Sequence, residues 1–210
     1  DLFLVHRFDV VFIHREATPI GPPVFEWLIM KVMKKRVIYD FDDAIWLPNA
    51  SESNKLTKYF KQFENAIRLC KWATKISAGN RFLAEHARMF NSNVVINPTT
   101  IDTEEYHNTI TSHDNHKFTI GWTGSHSTVV YLDEIYPVLL ELEKNFDFEF
   151  HVICDVAPSF TLKSMKFVKW KKETEVDDLM NFNIGIMPLP DNIWTRSKCG
   201  FKALQYMSLG

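Results

Sequence analysis

The chain has 210 residues, 46% of them hydrophobic and 24% charged, with a formal net charge of −2. Such a composition suits one large or two small globular domains around a real core, and it excludes the global cationic field of a nucleic-acid binder. Three scattered cysteines (Cys70, Cys154 and Cys199) without a CxxC pair argue for reduced thiols in a cytoplasmic setting rather than a disulfide framework or zinc site, and no apolar run approaches the ~20 residues of a membrane span.

In chain order, short apolar runs alternate with helix-periodic segments, the pattern of βαβ units and parallel sheets. Val10–His14 reads as the first strand, and Pro22-Pro23 opens a helix to about Lys34, since proline fits a first turn whose N–H groups lack partners anyway. A strand follows at Arg36–Phe41, then a helix from about Ser53 to Lys71 with Phe60, Phe63 and Ile67 at core-facing spacing. Lys75–Ser77, Arg81–Phe90 and Val94–Asn97 read as strand, helix and strand. Ile101–Lys117 is polar and without apolar period, which makes it the linker candidate. The alternation then restarts with strand Phe118–Trp122, helix Thr128–Lys144 and strands Glu149–Cys154 and Phe167–Trp170. Helix Glu175–Phe182, strand Ile184–Leu189 and helix Ser197–Leu209 complete it. The expected organisation is two α/β lobes, residues 1–110 and 111–210. Gly210 has the form of a helix C′ glycine, so a further strand is expected beyond it.

Three constellations can carry chemistry. YDFDDAIW places Asp40, Asp42 and Asp43 at the carboxyl end of a strand, where open α/β sheets bind ligands. Carboxylates so close repel and call for a cation, donors or a function; a metal site is conceivable, and an acidic capping turn is the plain alternative. GWTGSHST sets Gly121 and Gly124 about a strand exit, with Ser125 in the turn and Ser127 and Thr128 as helix N-caps. Glycine permits close backbone approach and a helix start offers N–H groups to a phosphate, but the spacing is neither GxGxxG nor a P-loop, so an ordinary capped turn fits equally. The last segment, IGIMPLPDNIWTRSKCGFKALQYMSLG, carries Asp191 in a strand-exit loop and Lys198 and Lys202 four apart on one helix face, suited to a diphosphate or simply solvated. The eight histidines show no HExxH or other ligand spacing, and GxSxG is absent.

Taken together, FDVVFIHRE, GPPVFEWLI, RVIYDFDDAIW, SAGNRFLAEHA, VINPTTIDTEEY, FTIGWTGSHSTVVYL and the last segment resemble bacterial glycosyltransferases of the GT-B fold, in the large retaining group four. The resemblance covers nearly the whole chain. It implies two Rossmann-like parallel-sheet lobes, an acceptor-side N-terminal domain and a donor-side C-terminal domain, both incomplete because family members extend past each end. It implies a UDP- or GDP-sugar co-substrate, no obligatory cofactor or metal, and a saccharide or lipid-linked acceptor in surface polysaccharide assembly. The setting is cytoplasmic, with peripheral membrane contact in a longer protein.

Residue by residue, Gly124, Ser125 and Ser127 match the phosphate turn of the donor domain, and Phe167–Lys171 matches the strand exit beside the nucleobase. Asp191, Lys198, Gly200, Lys202 and Gln205 fall in the segment that holds donor sugar and phosphates. Two glutamates common in the family are replaced here by Ser197 and Gln205, and an arginine and lysine common after the first donor-domain strand are missing. Asp42 stands where relatives often carry a histidine, so Asp42 or Asp43 is the candidate to orient or deprotonate the acceptor hydroxyl. The lost glutamates keep open a non-catalytic nucleotide-sugar-binding or interaction module, and the two-lobe fold also serves epimerase-like and phosphorylase enzymes. The isolated chain is expected to be weakly active or inactive.

Overall fold

Val10–His14 (β1), Arg36–Phe41 (β2), Lys75–Ala78 (β3) and Val94–Ile96 (β4) pair in sequence order as an all-parallel sheet in a computed structural model, which describes residues 2–16, 18, 21–47, 63–112 and 117–210. The register sets His14 beside Asp40, and Asp40 beside Ser77. Successive strands advance in one direction, so right-handed crossovers put the connecting helices on one face. These are Val24–Trp27 (α1), Glu64–Trp72 (α2) and Arg81–Arg88 (α3). Ile13, Val37, Tyr39, Phe41 and Ile76 point to that face and pack with Ile29, Leu69, Leu83 and Ala87. Val10, Phe12 and Val95, on the other face, are exposed. The first part of the helix expected from Ser53 lies outside the described residues.

Thr119–Thr123 (β5), Glu149–Cys154 (β6), Met165–Lys169 (β7) and Ile184–Gly185 (β8) form a second parallel sheet in the order β7-β6-β5-β8. The chain moves outward from β5 to β7 and then returns to the opposite side of β5. That reversal puts helices on both faces and gives two cores. Tyr136–Asn145 (α4) covers Trp122, Phe150 and Val152 through Leu139, while Glu175–Leu179 (α5) contributes Leu179 beside Phe182 and Ile153. Phe201–Leu209 (α7) joins the latter group through Leu209. Between β8 and α7 lies a short helix, Ile193–Arg196 (α6).

Several element boundaries differ from expectation for identifiable reasons. The helix expected from Pro22 begins as α1 and widens into a π turn at Leu28–Val32. The helix expected from Thr128 is a 3-10 segment, Val129–Glu134, followed by α4, because Pro137 lacks the N–H that a continuous helix needs. The strand expected through Leu189 stops at Gly185, since Pro188 and Pro190 cannot donate to a ladder. The helix expected from Ser197 is interrupted: a capping box between Asn192 and Thr195 starts α6 early, and Gly200, at φ 73°, turns left-handed before α7.

The compact units are the chain to Thr99 together with Asn192–Cys199, and Thr100–Asp191 together with Gly200–Gly210. The division expected near residue 110 therefore sits earlier, and the terminal segment is shared between units. The polar stretch read as a linker is tied into the second unit by hydrogen bonds that no apolar period reveals. Tyr106 Oη donates to Glu175 Oε2 at 3.1 Å, and Thr111 N donates to Leu209 O at 2.9 Å. No helix among the described residues is long and apolar enough to cross a membrane.

Candidate functional site

In the second unit the reversal between β5 and β8 is a topological switch point, the place beyond the carboxyl ends of the strands where open α/β sheets bind ligands. The turn Gly124–Thr128 leaves β5 there. A Cβ at Gly124 would lie 2.2 Å from the Trp122 ring and 2.8 Å from Lys202 Nζ, so only glycine fits between them. Lys202 Nζ sits 4.8 Å over the buried Trp122 indole and donates to Thr128 Oγ1 at 3.3 Å. The indole face attracts the ammonium and helps hold it at the turn. Tyr206 braces the same strand end by accepting from Thr123 N at 3.1 Å, and burial pushes its hydroxyl up to about 12.

The turn is internally bonded. Gly124 N reaches Ile153 O, and Thr128 N and Val129 N both reach Ser125 O. Ser125 N donates to Thr128 Oγ1, and His126 N donates to Asp155 Oδ1 at 2.7 Å. The expected array of open helix N–H groups is thus replaced by a closed turn leading into a 3-10 segment. Its outward-facing groups are the Ser125 and Ser127 hydroxyls, 2.9 Å apart, and the His126 ring, 3.0 Å from Asp155 Oδ2. The Cys154 thiol first, and His126 after it, hold the Asp155 carboxyl below its usual range.

The other expected donor contacts are dispersed. Lys171 is exposed after β7, and Asp191 is exposed at the edge of its unit. Gly200 starts α7 with open space where a Cβ would be. Gln205 is 2% exposed and meets His107 Nε2 at 3.3 Å. It is an internal partner of the former linker rather than a surface group, because α7 turns that face inward. Ser197 is fully buried in the first unit, its hydroxyl donating to Trp194 O at 2.6 Å.

Lys198 also belongs to the first unit, where it joins the acidic turn instead of Lys202. Its Nζ donates to Asp43 Oδ1 at 2.7 Å and lies 4.6 Å over the Trp194 ring. Arg15 grips the same turn, with Nε and Nη2 donating to Asp42 Oδ1 at 3.0 and 2.7 Å and Nη2 reaching Asp43 Oδ2 at 3.2 Å. Arg15 has φ 58°, a left-handed conformation costing about 1–2 kcal/mol for a residue with a Cβ, which these bonds offset. Burial alone lowers the guanidinium pKa, but the Asp42 hydrogen bond and the Asp42 and Asp43 charges outweigh it and leave it raised. His14 Nδ1 stands 2.7 Å from Asp40 Oδ2. The segment is clamped by Asn80, whose Nδ2 donates to Ser197 O at 2.9 Å and Lys198 O at 3.2 Å while Oδ1 caps α3. Gly79 permits the approach, since a Cβ there would meet Cys199 Sγ at 2.6 Å. Among the described residues no group of His, Cys, Asp and Glu is arranged to hold a metal ion.

The sequence reading missed His14, Arg15, Asn80 and Asp155. His14 and Arg15 end a strand parallel to the one bearing Asp40, and that adjacency was the available signal.

No protein-family model matches the sequence, and no curated protein matches it. Among solved structures, the catalytic domain of starch synthase IV from Arabidopsis thaliana, bound there to ADP and acarbose, is similar at TM-score 0.57 and 8% identity, over 87% of this chain and 53% of that one. MurG from Acinetobacter baumannii matches at TM-score 0.35 and 11% identity, over 91% of this chain and 46% of the other. The chain spans about half the length of each. The fold expected from the sequence, α/β with two Rossmann-like parallel-sheet lobes of the GT-B type, is the fold found.

Proposed function

We propose that the chain is part of a glycosyltransferase that moves a sugar from a UDP- or GDP-sugar to a saccharide or lipid-linked acceptor in bacterial surface polysaccharide synthesis. The observation that carries this reading is the switch point of the second sheet, where Gly124 brings the backbone against Lys202 and Trp122. A cation held over an indole beside two exposed hydroxyls suits the phosphates of a nucleotide-sugar. Phosphate recognition rests on Lys202, Ser125 and Ser127, because Lys198 is engaged by Asp43. In the first unit, Asp42 and Asp43 are the groups to orient an acceptor hydroxyl. Both already accept from cationic side chains, Asp42 from Arg15 and Asp43 from Lys198, which aims their carboxylates as hydrogen-bond acceptors.

A second reading, a non-catalytic nucleotide-sugar module, is favoured by one observation: neither Ser197 nor Gln205 supplies a carboxylate, and both are buried. Calorimetry with UDP, GDP and their sugars tests both. Binding of one nucleotide, weakened about tenfold or more in Lys202→Ala and unchanged in Lys198→Ala, is expected. Transfer or hydrolysis of the bound donor separates enzyme from module. No nucleotide binding by the folded chain ends both readings.

A further inference from the structure

We infer that His14 and Asp42 form a recognition site for a vicinal diol of a saccharide, with Asp40 positioning the imidazole; this rests on the acceptor role proposed for the first unit. A carboxylate only accepts hydrogen bonds, so His14 Nδ1, 2.7 Å from Asp40 Oδ2, carries the proton of that bond. In the tautomer this bond fixes, Nε2 is the accepting nitrogen, and the side chain is 52% exposed. Asp42 lies alongside, its Oδ1 4.0 Å from His14 Nε2 and its side chain 40% exposed. Arg15 takes Oδ1 through two bonds, which aims the carboxylate and leaves Oδ2 to accept from outside. Two acceptors side by side match two neighbouring ring hydroxyls, which stand about a hydrogen-bond length apart.

An independent observation points to the same place. Ser77 is 4% exposed, its hydroxyl has no hydrogen-bond partner among the described residues, and the β2–β3 register sets it next to Asp40. A buried hydroxyl without a partner is costly, and here it borders the carboxylate that orients His14. Charge selects the ligand class. Among the described residues, Asp40, Asp42 and Asp43 pair with two permanent cations, Arg15 and Lys198, so the carboxylates outnumber them and disfavour phosphate. A neutral polyol meets no such repulsion.

The test uses the full chain with side-chain nitrogen NMR of His14, titrated with the methyl glycosides of glucose, mannose and galactose. Expected are a ring protonated at Nδ1, a shift of Nε2 on adding at least one glycoside, and the same shift with its 6-deoxy analogue. The 3-deoxy analogue, which has no vicinal ring diol, is expected to give none. His14→Leu and Asp42→Asn each reduce glycoside affinity about tenfold or more. Asp40→Asn loses the single tautomer with an unchanged melting curve, a change that a merely structural role does not produce. If His14→Leu is poorly folded, His14→Gln takes its place. A proton on Nε2 with Nδ1 bare, wild-type affinity in the folded His14 variant, or no glycoside shifting His14 overturns the inference. Nucleotide titrations of the same samples keep the two readings apart: lost nucleotide binding with retained glycoside shifts removes the donor assignment alone.

Discussion

Asp43 is 18% exposed at its side chain and accepts from both Arg15 and Lys198, so one carboxylate links two cations from distant parts of the sequence. Asp43→Asn leaves Lys198, 24% exposed, with a weakened partner and is expected to destabilise the first unit by about 1–2 kcal/mol, read from urea unfolding. Lys198→Met keeps the aliphatic packing on Trp194 and is expected to cost less, because Arg15 still satisfies Asp43. Either variant that weakens nucleotide binding as strongly as Lys202→Ala would contradict the assignment of Lys198 to the first unit's carboxylates. Asp42, Asp43 and Gly124 stood out in the sequence because clustered carboxylates and a glycine-bearing turn fall at strand exits, where open α/β sheets bind ligands. His14 and Arg15 did not, because their role depends on β1–β2 register across 26 and 27 positions, and nothing local to VFIHRE marks it. Gln205 was misplaced for the complementary reason: its polarity suggested a surface, while its partner, His107, lay in a stretch without pattern.

The elements that read correctly to the residue, β1, β2 and β6, are short segments rich in β-branched and aromatic residues, set between polar or helix-periodic stretches. Those that read poorly are governed by single residues acting at a distance of one turn, notably Pro137, Pro188 and Gly200. Close packing makes one more glycine decisive. A Cβ at Gly121 would lie 2.1 Å from the Phe182 ring, so Gly121→Ala is expected to cost about 1–3 kcal/mol and to displace Phe182 from the second sheet. Thermal melting checks it, and a melting curve equal to wild type would show that the ring has room to move. Asn80→Ala removes the α3 cap together with the clamp on residues 197 and 198, with an expected loss of about 2 kcal/mol. Asn80→Asp keeps the cap and loses the clamp, and is expected to fall between the two.

Each unit carries a group whose burial sets an alkaline limit for the molecule. Burial pushes the Cys70 thiol in the first unit up to about 12, and likewise the Tyr206 hydroxyl in the second. Both folded values are raised, so the stabilisation is fully present below the unfolded values and is lost as pH climbs through roughly 9 to 12 for Cys70 and 10 to 12 for Tyr206. Urea midpoints are expected to fall across those windows, with Cys70→Ala and Tyr206→Phe each flattening the fall in its own unit. A slope unchanged by both substitutions would place the titrating groups elsewhere. The return of Asn192–Cys199 to the unit that holds the first strands also bears on how the chain comes to be folded. Asn80 waits for carbonyls 116 to 118 positions further on. A ribosome must therefore emit the chain through residue 199 before the first sheet can close its acidic turn. Such long-range closure is slow, and it leaves Asp42 and Asp43 without Lys198 during synthesis. Nascent chains halted before residue 192 are expected to be protease-sensitive around the first unit, and chains halted with residue 199 clear of the exit tunnel to be resistant.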